Sequence, residues 1–233
     1  MTEEDKELGQ RPDLILNGVG SAAGGAYDKV LIDGVGKVEG SLNARLFKAN
    51  GQIRVKGGLF TEGMEVNGIM SLGGPLRINT MKLDGILHID GSVIGENCVL
   101  NGLMTAKGDC ELEEFRGVGG FTIEGLLSAG HVDIRLEGAG QVHEIGVESL
   151  KVRQGDQSLW NRLLGGIIPK LKPMLTARVI EGDDLDLEYT NADVVRGNDV
   201  IIGEGCSVGL VEYRTGLTVH PGARIGKEVK TGD

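Results

Sequence analysis

Leu83 to Gly91 reads LDGILHIDG and holds one three-residue phrase twice, as Leu83-Asp84-Gly85 and Ile89-Asp90-Gly91. Two carboxylates, each beside a glycine and separated by one short apolar run, are either half of a metal site or two corners of a regular structure. The rest of the chain decides between them. The phrase recurs as Leu16-Asn17-Gly18, Ile32-Asp33-Gly34, Val38-Glu39-Gly40, Val66-Asn67-Gly68, Leu100-Asn101-Gly102 and Ile123-Glu124-Gly125. Gly34, Gly51, Gly68, Gly85, Gly102 and Gly119 recur at a constant interval of 17, and so do Gly40, Gly57, Gly74, Gly91, Gly108 and Gly125. Two glycine ladders therefore share one period, offset by six.

Apolar residues keep the same period. One column is Val30, Phe47, Met64, Met81, Cys98 and Phe115, and two residues on it is Ile32, Ala49, Val66, Leu83 and Leu100, broken by Gly117. Further columns are Val38, Val55, Leu72, Ile89, Ala106, Ile123 and Leu42, Leu59, Leu76, Val93, Cys110, Leu127. Each period thus carries three short i, i+2 apolar pairs, the spacing of strand residues that face one side. This pattern predicts an all-β, three-sided parallel β-helix (solenoid) with 17-residue rungs. The crossover rule favours right-handed winding. One rung cannot bury its own inward side chains; stacking at about 4.8 Å pairs each backbone with its neighbours and closes the core. Glycine after Asp or Asn suits a corner that needs positive φ.

The regular block runs over roughly 30–130, with an N-terminal rung at Leu14–Gly18 shifted by one residue and a less regular turn through Val132, Ile134, Val142, Ile145, Val147, Leu150 and Val152. The alternation then stops. Between Lys151 and Leu175 five basic residues stand against one acid, Asp156, and the stretch holds the only tryptophan, Trp160. A short helical or irregular insertion is expected, capping or packing along the solenoid. Its competing reading is an amphipathic membrane or partner contact through Trp160, Leu163, Leu164, Ile167, Ile168, Lys170 and Lys172. The period returns where Val200, Ile202, Cys206 and Val208 match Leu217, Val219, Ala223 and Ile225, with Val179, Leu185, Leu187 and Val194 leading in. The expected organisation is a polar tail at 1–13, solenoid at 14–152, insertion at 153–176, further rungs at 177–228 and a tail at 229–233.

Composition narrows the function. Net charge is −10, and a general nucleic-acid binder needs clustered Lys and Arg, so no nucleic-acid partner is expected. The opening MTEEDKELGQ is acidic and lacks an apolar core, so no signal peptide is expected, and no run of about 18 apolar residues is present. Cys98, Cys110 and Cys206 form no CxxC pair, which fits a reducing cytosol. In a 17-residue stack Asp84 lies between Asn67 and Asn101, and Asp90 between Gly73 and Lys107. Neither has a carboxylate neighbour, so both read as corner residues rather than metal ligands. His88, His131, His143 and His220 are scattered, and no GxSxG, Walker A or HExxH motif occurs. No catalytic, metal or cofactor residues are therefore assigned. One enzymatic reading remains: Ile202-Gly203 and Val208-Gly209 look like the hexapeptide repeat of left-handed β-helix acyltransferases, with His220 as the nearby histidine. Those enzymes, however, use 18-residue turns.

The phrases KVEGSLNA, IRVKGGL, LHIDGSV and FTIEGLL, set on this lattice over about residues 14–152, resemble the bactofilins, bacterial polymer-forming cytoskeletal proteins. With ADVVRGNDVIIGEGCSVG late in the chain, the sequence is similar to the longer bactofilin-like proteins of Bacillus-type bacteria, which are linked to flagellar motility. The resemblance implies a right-handed triangular β-helix that assembles end to end without nucleotide. It implies a scaffold, not an enzyme, that is cytoplasmic or peripheral at the inner face of the cell membrane. Its partners would be itself or a paralogue, the membrane surface, and envelope or flagellar proteins. Family members carry Pro-rich tails or an apolar N-terminal membrane motif; the acidic N-terminus here departs from that.

Overall fold

A computed structural model describes residues 11–155 and 173–232, and every regular element among them is a strand. The strands are β1 (Leu14–Ala22), β2 (Gly25–Val38), β3 (Leu42–Val55), β4 (Leu59–Leu72), β5 (Leu76–Ile89), β6 (Val93–Ile94), β7 (Asn97–Ala106), β8 (Cys110–Gln154), β9 (Leu175–Leu187), β10 (Thr190–Ile202), β11 (Ser207–Val219) and β12 (Arg224–Lys230). All pair in parallel in one continuous sheet, with β1 at one end and β12 at the other. The chain is a β-solenoid of stacked turns.

Strand β3 shows how one rung is built. Its buried residues are Leu42 and Ala44, then Phe47 and Ala49, then Ile53 and Val55, and the residues between them point out. Three inward pairs make three sides, with bends at Arg45-Leu46, Asn50-Gly51-Gln52 and Lys56-Gly57-Gly58. The four columns read over residues 30–127 are all buried. Two more columns complete the three pairs: Ala44, Thr61, Ile78 and Leu112, and Ile53, Met70, Leu87, Met104 and Phe121. Buried Thr61 and Thr190 bond to backbone carbonyls through their hydroxyls, so the thin core encloses no orphaned polar side-chain atom among the described residues.

The two glycine ladders have different causes. Gly85 has φ +140°, and a Cβ there would lie 2.0 Å from the carbonyl oxygen of Gly68 on the rung below. Every member of this first ladder, from Gly34 to Gly119, combines positive φ with such a contact. The second ladder does not have positive φ, which corrects the expectation for that corner. From Gly57 to Gly125 its glycines answer to proximity alone: a Cβ on Gly91 would meet the nitrogen of Pro75 at 2.9 Å, and one on Gly57 the Oγ of Ser41 at 2.3 Å.

The rung repeats every 17 from β2 through β7, as Val30↔Phe47 and Met81↔Cys98 show. It is not uniform elsewhere. Leu14 pairs with Val30, a step of 16, as the shifted first rung predicts. Leu175 pairs with Thr190, a step of 15, and β10 against β11 lengthens by one at an irregularity between Gly197 and Asp199. Val179 and Val194 lie in these leading rungs, paired with each other and half-buried, while their neighbours Ile180 and Val195 fill the core. Strand β8 pairs directly with β9, with Ile145↔Ile180 and Leu150↔Leu185, so the stack is uninterrupted across the insertion. At the C-terminal end β12 runs past the expected boundary, to Lys230.

An alanine at Gly85 is expected to lower stability by about 3 kcal/mol or more, because it meets both a forbidden φ and a fixed carbonyl. Asp84→Ala, one residue away and exposed, should cost no more than about 1 kcal/mol. Urea unfolding followed by circular dichroism measures both; equal losses would refute this account of the corner.

Candidate functional site

Outward side chains in a parallel stack sit above their equivalents on the next rung, so they meet each other before they meet a ligand. Arg45 chelates Asp28 at 2.7 and 3.0 Å, Lys48 pairs with Glu65 at 2.8 Å, and Lys107 with Asp90 at 2.7 Å. Asn67 donates to Asn50 at 2.9 Å, and Asn101 to Asp84 at 3.1 Å. Both aspartates of the LDGILHIDG stretch are thereby engaged by the stacked neighbours expected for corners. The hydrogen bond from Lys107 holds the Asp90 carboxyl below its ordinary range, as that from Arg45 does for Asp28. Glu39 accepts from Lys37 at 2.5 Å and Lys56 at 2.6 Å, and its pKa falls from 4.5 to about 2. These pairs are exposed, so each adds little stability; what they do is favour one register over its neighbours.

Chemistry that requires convergence is sparse. Among the described residues no three of His, Cys, Asp and Glu gather where they could hold a metal ion. His88 and His143 point to solvent. His131 Nδ1 lies 2.8 Å from Ser149 Oγ on an exposed side of the stack. His220 is exposed at a corner, where its Nδ1 accepts from the Gly222 N–H at 3.0 Å. The hexapeptide-like match at Ile202–Gly209 forms ordinary rung, with Ile202, Cys206 and Val208 buried. An open groove of roughly 590 Å³ runs past Glu181, Arg196 and Glu212. Arg196 is already shared between Glu212 at 2.5 Å and Glu181 at 3.8 Å. All three cysteines are buried and unpaired; burial pushes the Cys98 thiol up and the Cys110 thiol to about 12.

The ends of the stack carry what the sides lack. Among the described residues β1 has one hydrogen-bonded neighbour, β2, and β12 has one, β11. Strand β1 leaves Ile15 57% and Val19 87% exposed, and its inward Leu14 and Leu16 are only partly covered. At the other end Leu217 and Ile225 are partly covered, and Val219 is exposed. The inward column that runs Ile180, Val195, Val211 finishes at Glu228. Sequence reasoning does not single out Ile15, Val19 or Glu228. A signal for them exists: the stretch 14–27 contains no charge, whereas 214–230 contains Arg214, Arg224, Lys227, Lys230 and Glu228.

Trp160, Leu163, Leu164, Ile167, Ile168, Lys170 and Lys172 lie outside the described residues. The chain on either side of them stays bonded to the stack, Gly155 N–H to Leu136 carbonyl at 2.7 Å and Gly140 N–H to Met174 carbonyl at 2.9 Å. No helix among the described residues is long and apolar enough to cross a membrane.

No family model matches the chain, and no solved structure does. It is similar to two curated proteins of Bacillus subtilis (strain 168). "Uncharacterized protein YhbE" is 40% identical over 111 residues, 46% of this chain and 44% of the relative. "Uncharacterized protein YhbF" is 38% identical over 107 residues, 46% of this chain and 42% of the relative. The chain therefore matches less than half the length of each.

Two outcomes are expected from this chemistry. Cys98 and Cys110 should resist iodoacetamide at pH 8 in the native protein and react on unfolding; rapid native labelling would contradict their burial. Because the Glu39 pKa is depressed on folding, its contribution is present above pH 4.5 and lost as pH falls towards about 2. Glu39→Gln should therefore flatten the decline of the urea midpoint between pH 5 and pH 2.5, and an unchanged slope would count against the pairing.

Proposed function

We propose that this protein is a non-enzymatic scaffold of bactofilin type, which self-associates through the ends of its solenoid without nucleotide and positions other proteins at the inner face of the cell envelope. Flagellar motility or cell shape is the process it would serve. The observation that carries this reading is the state of the two end rungs. Each presents one side of a parallel strand whose N–H and C=O groups lack a neighbour among the described residues, beside inward apolar side chains that are only partly covered. Such an edge pairs with another strand. Contacts between identical subunits at such ends extend the same sheet that holds each subunit together. The sides support the reading indirectly, since several of their charged groups pair with the adjacent rung. Two relatives in one organism also fit co-assembly of related chains.

Negative-stain microscopy and sedimentation of the purified chain test this. One solenoid is on the order of 55 Å long at about 4.8 Å per rung. Rods longer than that are expected, with no change on adding ATP or GTP. Strict monomers across concentration and salt would sink the proposal.

A further inference from the structure

The two ends of the stack differ in ways that decide what each can accept. Everything the N-terminal end presents between Leu14 and Tyr27 is uncharged. Its outward side chains are Ile15, Asn17, Val19 and Ser21, and its inward ones are Leu14, Leu16, Gly20 and Ala22, by the register with β2. Natural edge strands are guarded against pairing by lysines, prolines, bulges or inward-pointing charges. Strand β1 has no charge and no proline.

The C-terminal end has two of those guards. Strand β12 reads RIGKEVK, with Arg224, Lys227 and Lys230 along a short edge. Its Glu228 stands in register with Val211, Val195 and Ile180. Those three are buried, and Glu228 is exposed because nothing among the described residues lies beyond it. A further rung laid on β12 would bury that carboxylate in an apolar column, opposite no base of its own column. Removing an unpaired charge from water carries a desolvation penalty that works against any joint made there.

Three joints between identical copies can be compared on this basis. Joining two C-terminal ends sets Arg224, Lys227 and Lys230 against their own copies and buries two Glu228 carboxylates. Joining a C-terminal to an N-terminal end buries one Glu228 against the uncharged β1 rung, which has nothing to pair with it. Joining two N-terminal ends buries no charge of β1 and brings β1 against β1 across a two-fold axis, antiparallel, with Leu14 and Leu16 of both copies covered. Resting on the end-to-end reading above, we infer that β1 is a docking edge for a second copy of this chain and that Glu228 and the β12 bases block a second joint, so that the chain alone assembles into two-fold dimers and stops.

Sedimentation equilibrium with electron microscopy tests this on the whole chain. The wild type is expected at twice the 24.6 kDa monomer mass, without longer species. Ile15→Lys with Val19→Lys should weaken association at least tenfold and leave the circular dichroism spectrum unchanged; both side chains already face solvent. Should the double variant fold poorly, Val19→Lys alone provides the same reading. Lys227→Thr with Glu228→Leu and Lys230→Thr should release growth beyond the dimer. Dimers that persist in the β1 variants, or wild-type filaments that grow despite Glu228, would overturn the inference and leave the end-to-end reading standing. A wild type that never associates would overturn that reading and the inference together.

Discussion

The contact on which the structure depends is between backbone and backbone at one corner. A side chain at Gly68, Gly85 or Gly102 would lie 2.2, 2.0 or 1.9 Å from a carbonyl oxygen of the preceding corner. Only a residue without Cβ, held at positive φ, lets the corners stack so closely. Once the corners coincide, the register of all three sides is set. Equivalent residues must then stand in columns, which is why Phe47, Met64, Met81, Cys98 and Phe115 line one wall of the interior. The same registration brings Asp28 under Arg45 and Asp90 under Lys107 on the outside. Core packing and surface pairing thus both follow from one steric condition. The interior is narrow enough that Phe115 and Phe121, on one rung, meet edge to face with ring centres 5.3 Å apart.

Where that condition repeats strictly, the sequence is readable. The four columns read at a single fixed period over residues 30–127 are all buried, and Asp84 and Asp90 have the stacked neighbours the lattice assigns them. Where the rung length changes, a fixed ruler misleads. The shorter step from Leu175 to Thr190 carries no glycine ladder of the Gly85 kind, and there a period of 17 carried back from buried Val211 lands on half-buried Val194, not on buried Val195. Two adjacent β-branched residues look alike to a periodicity argument, and only the path of the chain decides which turns inward. The second glycine ladder is legible as a ladder but not as a cause. Close approach to Ser41 or Pro75 is a tertiary contact, and nothing in Gly57 or Gly91 distinguishes it from a demand for positive φ.

The same geometry accounts for why a candidate site is hard to read on the sides. Catalytic and metal centres need groups that converge on a point from different elements. Side chains on the outer face of a solenoid diverge, and their nearest neighbours are their own equivalents one rung away. His131 with Ser149 and Arg196 with Glu212 are products of that adjacency. The residues that would speak to a membrane or partner contact, from Trp160 to Lys172, lie outside the described stack.

A parallel solenoid carries no length limit in its backbone, because each rung offers the next the same edge it received. Any limit has to be written in side chains. In this chain one inward column runs Ile145, Ile180, Val195 and Val211, and then Glu228. A carboxylate is tolerable there only while nothing lies beyond it, since the solvent that hydrates it is the volume a further rung would occupy. At the opposite end Leu14 and Leu16 stand in inward columns, with no charge anywhere from 14 to 27. One end is written to be covered and the other to stay wet. In a stackable fold, control over assembly is exercised by that difference in composition and not by the rungs between.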